Sequence, residues 1–186
     1  MERTAKIERR VSRQIAFLMI YSSDMGKTTY PEVLDYFLND DNLNDLLDSA
    51  AIVERFPELE GKSLSDLLDE DERFYIVDTV SGTMDNLQEI DALINTQAKR
   101  ARWSTERMVS ADKNILRLGT FELFYAPQKA DPAVVIDEAV SLAHIYGDGR
   151  SYQFINAVLD AEVKQNNDDK SSESGEAGDH PGLETK

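Results

Sequence analysis

D112-K-N-I-L-R-L-G-T-F-E-L-F-Y125 is the stretch on which the fold class turns. Its apolar residues follow a helical spacing and do not alternate as they would in a half-buried strand. Asp112 is placed to cap a helix, and Pro127 stands just beyond its end. Downstream, Asp131 caps a further helix, with Pro132 at its first position and Gly147 closing it. The G147-D-G-R-S151 stretch then reads as a helix-to-helix turn with φ > 0 at its glycines. A last helix begins near Ser151 and carries Phe154, Ile155, Val158 and Leu159. After Lys164 the chain becomes almost free of apolar residues, and its composition predicts disorder.

Upstream the pattern is also helical. Phe74, Val77, Val80 and Met84 are spaced by three and four. Leu87, Ile90, Leu93, Ile94 and Ala98 continue in a second helix after a bend. Between Pro31 and Glu72 lies an acidic section whose only basic residues are Arg55 and Lys62. Two short helices are expected there, one around Leu34, Phe37 and Leu38, the other around Leu43, Leu46 and Leu47. F56-P-E-L-E-G-K62 reads as a loop. No alternating pattern occurs anywhere, so the expected class is all-α.

The first helix is divided. At about 100° per residue, Ile7, Val11, Ile15, Leu18 and Ser22 share a mostly apolar side. Arg3, Lys6, Arg9, Arg10 and Arg13 share a neighbouring side, which Phe17 and Tyr21 continue. This concentration is unusual in a chain of 186 residues with a formal net charge of -16. An acidic balance argues against a general nucleic-acid or membrane binder, but a local basic face is still able to bind RNA. Cysteine is absent, which excludes disulfides, thiol catalysis and zinc-thiolate sites. No apolar run reaches the roughly 18 residues that span a bilayer. The expected location is cytoplasmic.

I-L-R-L-G-T-F-E-L (115–123), V-V-I-D-E-A-V-S-L-A (134–143), Tyr146-Gly147 and F-I-N-A-V-L-D (154–160) occur in one order with R-x-x-x-R-x-x-A-x-x-x-x-Y (Arg9 to Tyr21). In that order they resemble the NusB transcription antitermination family. The acidic section looks longer than is usual there. The resemblance implies a compact bundle of about seven helices in two subdomains. Their expected limits are 1–86, with the acidic insert at 31–72, and 87–165, followed by an acidic tail at 166–186. It also implies binding of boxA-type single-stranded RNA from ribosomal RNA leaders together with the ribosomal protein NusE. Through these the factor would reach the RNA polymerase elongation complex. It implies no catalysis and no cofactor. Monomer and homodimer both stay open.

RNA binding would use Arg3, Lys6, Arg9, Arg10 and Arg13 on phosphates, with Phe17 and Tyr21 stacking on bases. The bland reading of the same face is a solvated stripe paired with acidic neighbours, including the insert's carboxylates. Those carboxylates could instead cover the basic face until RNA displaces them. Lys99, Arg100 and Arg117 match the family's second RNA region by position, with Arg102 beside them. Basic residues at a helix C-terminus would account for Lys99 and Arg100 equally well. Arg107 and Trp103 are read as structural. In the family, the aromatic of F-I-N-A-V-L-D and an acidic residue four positions earlier meet the partner. Phe154 keeps the aromatic, but the acidic position is Arg150, which cannot accept a hydrogen bond.

Three catalytic or ligand readings fall away. Asp137 and Glu138 are adjacent in a helix and diverge by about 100°, so they do not share a metal. His144 has no Ser or Asp partner in sequence. G147-D-G-R-S151 lacks the spacing of a phosphate loop. Two alternatives to the antitermination reading remain. One is an acidic protein–protein adaptor with weak or lost RNA binding. The other is the related domain fused to ribosomal RNA methyltransferases, against which stands the lack of a glycine-rich cofactor loop.

Overall fold

The structure, a computed structural model, describes residues 9–47, 50–59, 61–63, 68–100 and 108–176. The helices are α1 (Arg9–Gly26), α2 (Tyr30–Phe37), α3 (Asp40–Leu47), α4 (Ala50–Arg55), α5 (Glu70–Asp85), α6 (Leu87–Arg100), α7 (Ser110–Phe124), α8 (Pro132–Tyr146) and α9 (Ser151–Glu176). A 3-10 turn at Pro57–Leu59 follows α4, and no strand occurs among the described residues. The all-α expectation holds. Seven of the helices, α1, α2 and α5 to α9, make the expected bundle, and the acidic insert adds α3 and α4.

Local chemistry sets most boundaries. Asp131 accepts the Ala133 N–H at 2.9 Å, Pro132 follows it, and Gly147 closes α8 by donating to the Ala143 carbonyl at 3.0 Å. Thr29 and Glu32 form a capping box at α2. Asp69 caps α5 by accepting the Glu72 N–H at 2.9 Å. Two boundary readings need correction. α7 starts at Ser110 behind Val109 in extended backbone, so Asp112 lies inside the first turn and is not the cap. Gly147 has φ −86°, so left-handed backbone is not its reason. A Cβ there would stand 2.4 Å from the Ser151 Cβ and 2.6 Å from the Ala143 carbonyl oxygen, so close approach is.

α1 is the central element, packed on α5 and α7, with α2 across it. Ile15, Ala16, Met19 and Ile20 are fully buried, and so are Ser12 and Gln14. Each such apolar side chain contributes roughly 1.5–3 kcal/mol through burial. α9 packs on α7 and α8 and brings Ile155, Val158 and Leu159 into the same core. α5 and α7 approach closely at Gly82, where a Cβ would lie 2.3 Å from the Phe121 ring.

Two further expectations shift. The buried face of α5 is Glu72, Ile76, Thr79, Val80 and Thr83, whereas Phe74 points outward and is 66% exposed. α9 continues as helix to Glu176, eleven residues into the stretch expected to be disordered.

Candidate nucleic-acid interface

The arginines of α1 divide into two rows. Arg9 and Arg13, one turn apart, face α5 and α7. Arg13 is 4% exposed, and its Nε and Nη2 donate to Glu122 at 2.8 and 2.9 Å. The Tyr75 hydroxyl donates to the same carboxylate at 2.8 Å. Burial alone would lower the Arg13 pKa, but the bonds and charge of Glu122 outweigh it and hold the guanidinium more firmly charged than usual. Burial and the Glu122 charge push the Tyr75 hydroxyl up, so it stays a donor. Arg9 stays at the surface. It lies 3.4 Å from Glu72 and 4.1 Å above the Tyr75 ring.

Arg10 begins the second row. Its Nε donates to Glu138 of α8 at 2.9 Å, and its side chain is 50% exposed. Arg55 of α4 donates to the other oxygen of Glu138 at 3.2 Å and to Gln14 at 3.1 Å. Gln14 in turn donates to the Tyr146 hydroxyl at 2.8 Å. Glu138 is thus the common acceptor of two arginines, with Arg13 3.9 Å away. Arg10, Arg55, Glu54, Ser141, His144 and Ile145 line a shallow groove here.

These contacts correct several expected sites. Arg13 is a core side chain whose guanidinium is fully engaged and turned away from solvent. Phe17 is 1% exposed, with its ring 4.8 Å from Tyr146 and 5.9 Å from Tyr21, so no base can stack on it in this conformation. Tyr21 is half-buried in the same cluster. Arg117 is 3% exposed; it donates to Asp91 at 2.8 and 2.7 Å and to Asp24 at 3.2 Å. Burial would raise the Asp24 carboxyl, but hydrogen bonds from Asn114 and Arg117 hold it below the usual range. Asp24 is therefore present as an anion, and together with Asp91 it fixes Arg117 in place. Phe154 is 5% exposed and belongs to the core, which removes its ring from a partner-facing surface, while Arg150 beside it is exposed.

The remaining expected residues split. Arg9, Arg10, Lys99 and Arg100 are exposed. Lys99 and Arg100 end α6, and Arg100 donates to Gln165 of α9 at 2.6 Å. No hydrogen bond or ion pair among the described residues links that pair to Arg9 and Arg10. Arg3, Lys6, Arg102, Trp103 and Arg107 lie outside the described residues. Of the insert's carboxylates, Glu72 pairs with Arg9 and also takes a hydrogen bond from Ser12.

Sequence reasoning missed Arg55 and undervalued Glu138. It counted Phe74 in the apolar spacing of α5, although that side chain faces outward, and it did not foresee that the His144 ring stacks on Tyr152 at 4.6 Å. No group of three or more His, Cys, Asp or Glu able to hold a metal occurs among the described residues. No helix among them is long and apolar enough to cross a membrane.

The NusB family matches residues 10–164. The transcription antitermination protein NusB of Borreliella burgdorferi is 34% identical over 152 residues, which cover 82% of this chain and 91% of that protein. NusB of Treponema denticola is 32% identical over 156 residues, 83% of this chain and 95% of that one. Among solved structures, T. maritima NusB aligns with a TM-score of 0.61 at 26% identity, over 86% of this chain and 93% of its own. A chain from a crystal structure of antitermination factors NusB and NusE in complex with dsRNA aligns with a TM-score of 0.60 at 25% identity, over 84% and 96%. From its helix order, its α1 contacts and these matches, the chain belongs to the NusB family.

Proposed function

We propose that this chain is an RNA-binding transcription antitermination factor without catalytic activity. In this reading it engages boxA-type single-stranded RNA of ribosomal RNA leaders together with the ribosomal protein NusE. The observation that carries the reading is the exposed start of α1. Arg9 and Arg10 stand there half-solvated, ahead of a stretch from Val11 to Ile20 that is buried at every position but Leu18. Guanidinium groups held by one nitrogen keep others for a phosphate. The similarity to a chain from a complex of NusB and NusE with dsRNA supports the RNA and NusE parts of this reading. Lys99 and Arg100 would add a second phosphate contact, and Arg150 would replace an acid at the partner surface.

The test is fluorescence anisotropy with a labelled leader RNA beside a scrambled one, with and without NusE. Binding that is selective and partner-enhanced is expected. Arg10→Ala should weaken it and reduce the salt slope by about 1. Equal, weak binding of both RNAs would leave the adaptor reading. That reading has its own support, because Glu72, Glu122 and Glu138 already pair with the α1 arginines.

A further inference from the structure

Single-stranded RNA is held by cations on its phosphates and by rings on which its unpaired bases stack. The rings of α1 do not supply the second part. Phe17 is 1% exposed, and Tyr21 packs into the core beside it. The Tyr75 ring has Arg9 over its face. Phe74 is exposed, but its groove is also lined by Asp71 and Asp78, which repel a phosphate backbone. His144 is an exposed ring that shares its groove with Arg10.

That groove, of about 530 Å³, is lined from α1, α4 and α8. Ser141 and Ile145 lie one and two turns beyond Glu138 on the same side of α8, with His144 beside them. One face of the His144 ring is covered by Tyr152, at 4.6 Å and an angle of 23°, and the rest of this exposed ring is left to solvent. Neither Ser141 nor His144 makes a side-chain hydrogen bond among the described residues. Arg10 spends its Nε on Glu138 and is 50% exposed, which leaves both Nη groups for a ligand. Arg55 donates to the other oxygen of Glu138 and to Gln14, so α4 braces the carboxylate that holds Arg10. Glu54 on the rim only accepts, which suits a base N–H and not a phosphate.

We propose that this groove is a nucleotide subsite for single-stranded RNA, in which the Nη groups of Arg10 take a phosphate and the His144 ring, backed by Tyr152, stacks on the neighbouring base. Ser141 offers a hydroxyl donor beside them. Arg55 is a positioning residue that acts through Glu138. The subsite rests on the RNA reading and extends it from α1 onto α8. Stacking on a ring tolerates any base but is lost when the base is removed. It neutralises no phosphate, so it leaves the salt dependence of binding unchanged.

The test is fluorescence anisotropy with the labelled leader RNA and with versions of it that carry one abasic nucleotide at each position in turn. His144→Ala, at an exposed position, should melt with wild type and lose RNA affinity about fivefold or more, with an unchanged salt slope. One abasic position should cost wild type a similar factor and cost His144→Ala almost nothing, a coupling that a merely structural role for His144 would not give. His144→Phe should bind like wild type. Selective binding of the intact RNA without that coupling overturns the subsite and leaves the RNA reading standing. Equal, weak binding of leader and scrambled RNA by wild type removes both together. If His144→Ala keeps its RNA affinity but loses affinity for NusE alone, the ring pair belongs to a protein contact and the subsite is again overturned.

Discussion

Arg13 separates a structural charge from a binding one. Replacing it by alanine removes two hydrogen bonds to Glu122, at 2.8 and 2.9 Å. It leaves a carboxylate that is 4% exposed with only the Tyr75 hydroxyl as a described partner. Removing one member of a buried pair costs about 3–5 kcal/mol, mostly because the other charge stays uncompensated. For a chain of this size that lowers Tm by roughly 6–20 °C. Urea melts should show the loss. Arg13→Ala combined with Glu122→Gln should be less destabilised than the sum of the single changes, by about 1–3 kcal/mol. Below its melting range, Arg13→Ala should bind RNA within about twofold of wild type, whereas Arg10→Ala should not. The reasoning fails if Arg13→Ala melts within about 1 kcal/mol of wild type and loses affinity with a flattened salt slope. Arg13 would then face RNA and not the core.

Two further predictions follow from the core. Glu162 is 2% exposed; burial pushes its carboxyl up to about 8, partly offset by the bond from Thr120 at 2.9 Å, and its second oxygen has no partner among the described residues. A folded pKa above the unfolded value means the native state holds the extra proton, so stability is greatest at low pH. Between about pH 4.5 and 8 the chain should lose a few kcal/mol, and Glu162→Gln should flatten that slope in urea melts at pH 5.5 and 8. Gly82→Ala sets a methyl against the Phe121 ring and should destabilise by about 1–3 kcal/mol despite its better helix propensity; a melt no lower than wild type would show that Phe121 moves freely.

Much of the helix layout was legible because its signals are local. Asp131, Pro132 and Gly147 mark α8 within a single element. What was not legible is how the helices are rotated about their own axes. α1 is surrounded by α2, α5 and α7, so its polar residues need partners and do not mark a solvent side. Those partners are remote: Arg13 meets Glu122 across 109 positions, Arg10 meets Glu138 across 128, and Ser12 meets Glu72 across 60. Charged residues are mostly exposed unless paired, and periodicity cannot see a pairing of that range. The same limit misplaced α5. Thr79 and Thr83 are buried, so the polar-looking face is the inner one and Phe74 is outside. Phe17 was assigned to stacking because it follows the arginines, but it lies in the row that leads into the core. The site reading kept Arg9 and Arg10 because their exposure comes from position, at the outer end of the helix.

Glu138 shows how the remaining cations are set. It holds Arg10 by Nε at 2.9 Å and Arg55 at 3.2 Å, so it fixes two guanidinium groups while opposing their field. The two effects have opposite signs for RNA affinity. Fixing a long side chain before binding saves about 0.5–1.5 kcal/mol of ordering cost. The carboxylate's repulsion of a nearby phosphate is of similar size at low salt, but salt screens it, with a Debye length of about 10 Å at 0.1 M and 3 Å at 1 M. Ordering is not screened. Glu138→Gln loses the charge and keeps only one of the two acceptor oxygens that hold Arg10 and Arg55. It should therefore bind RNA more tightly than wild type at low salt and less tightly at high salt, so that the two salt-dependence lines cross. Melts taken alongside would confirm that the fold holds, because three arginines lose a shared anion. Lines that converge at high salt without crossing would mean that Glu138 acts through charge alone, and that Arg10 needs no orienting partner to meet a phosphate.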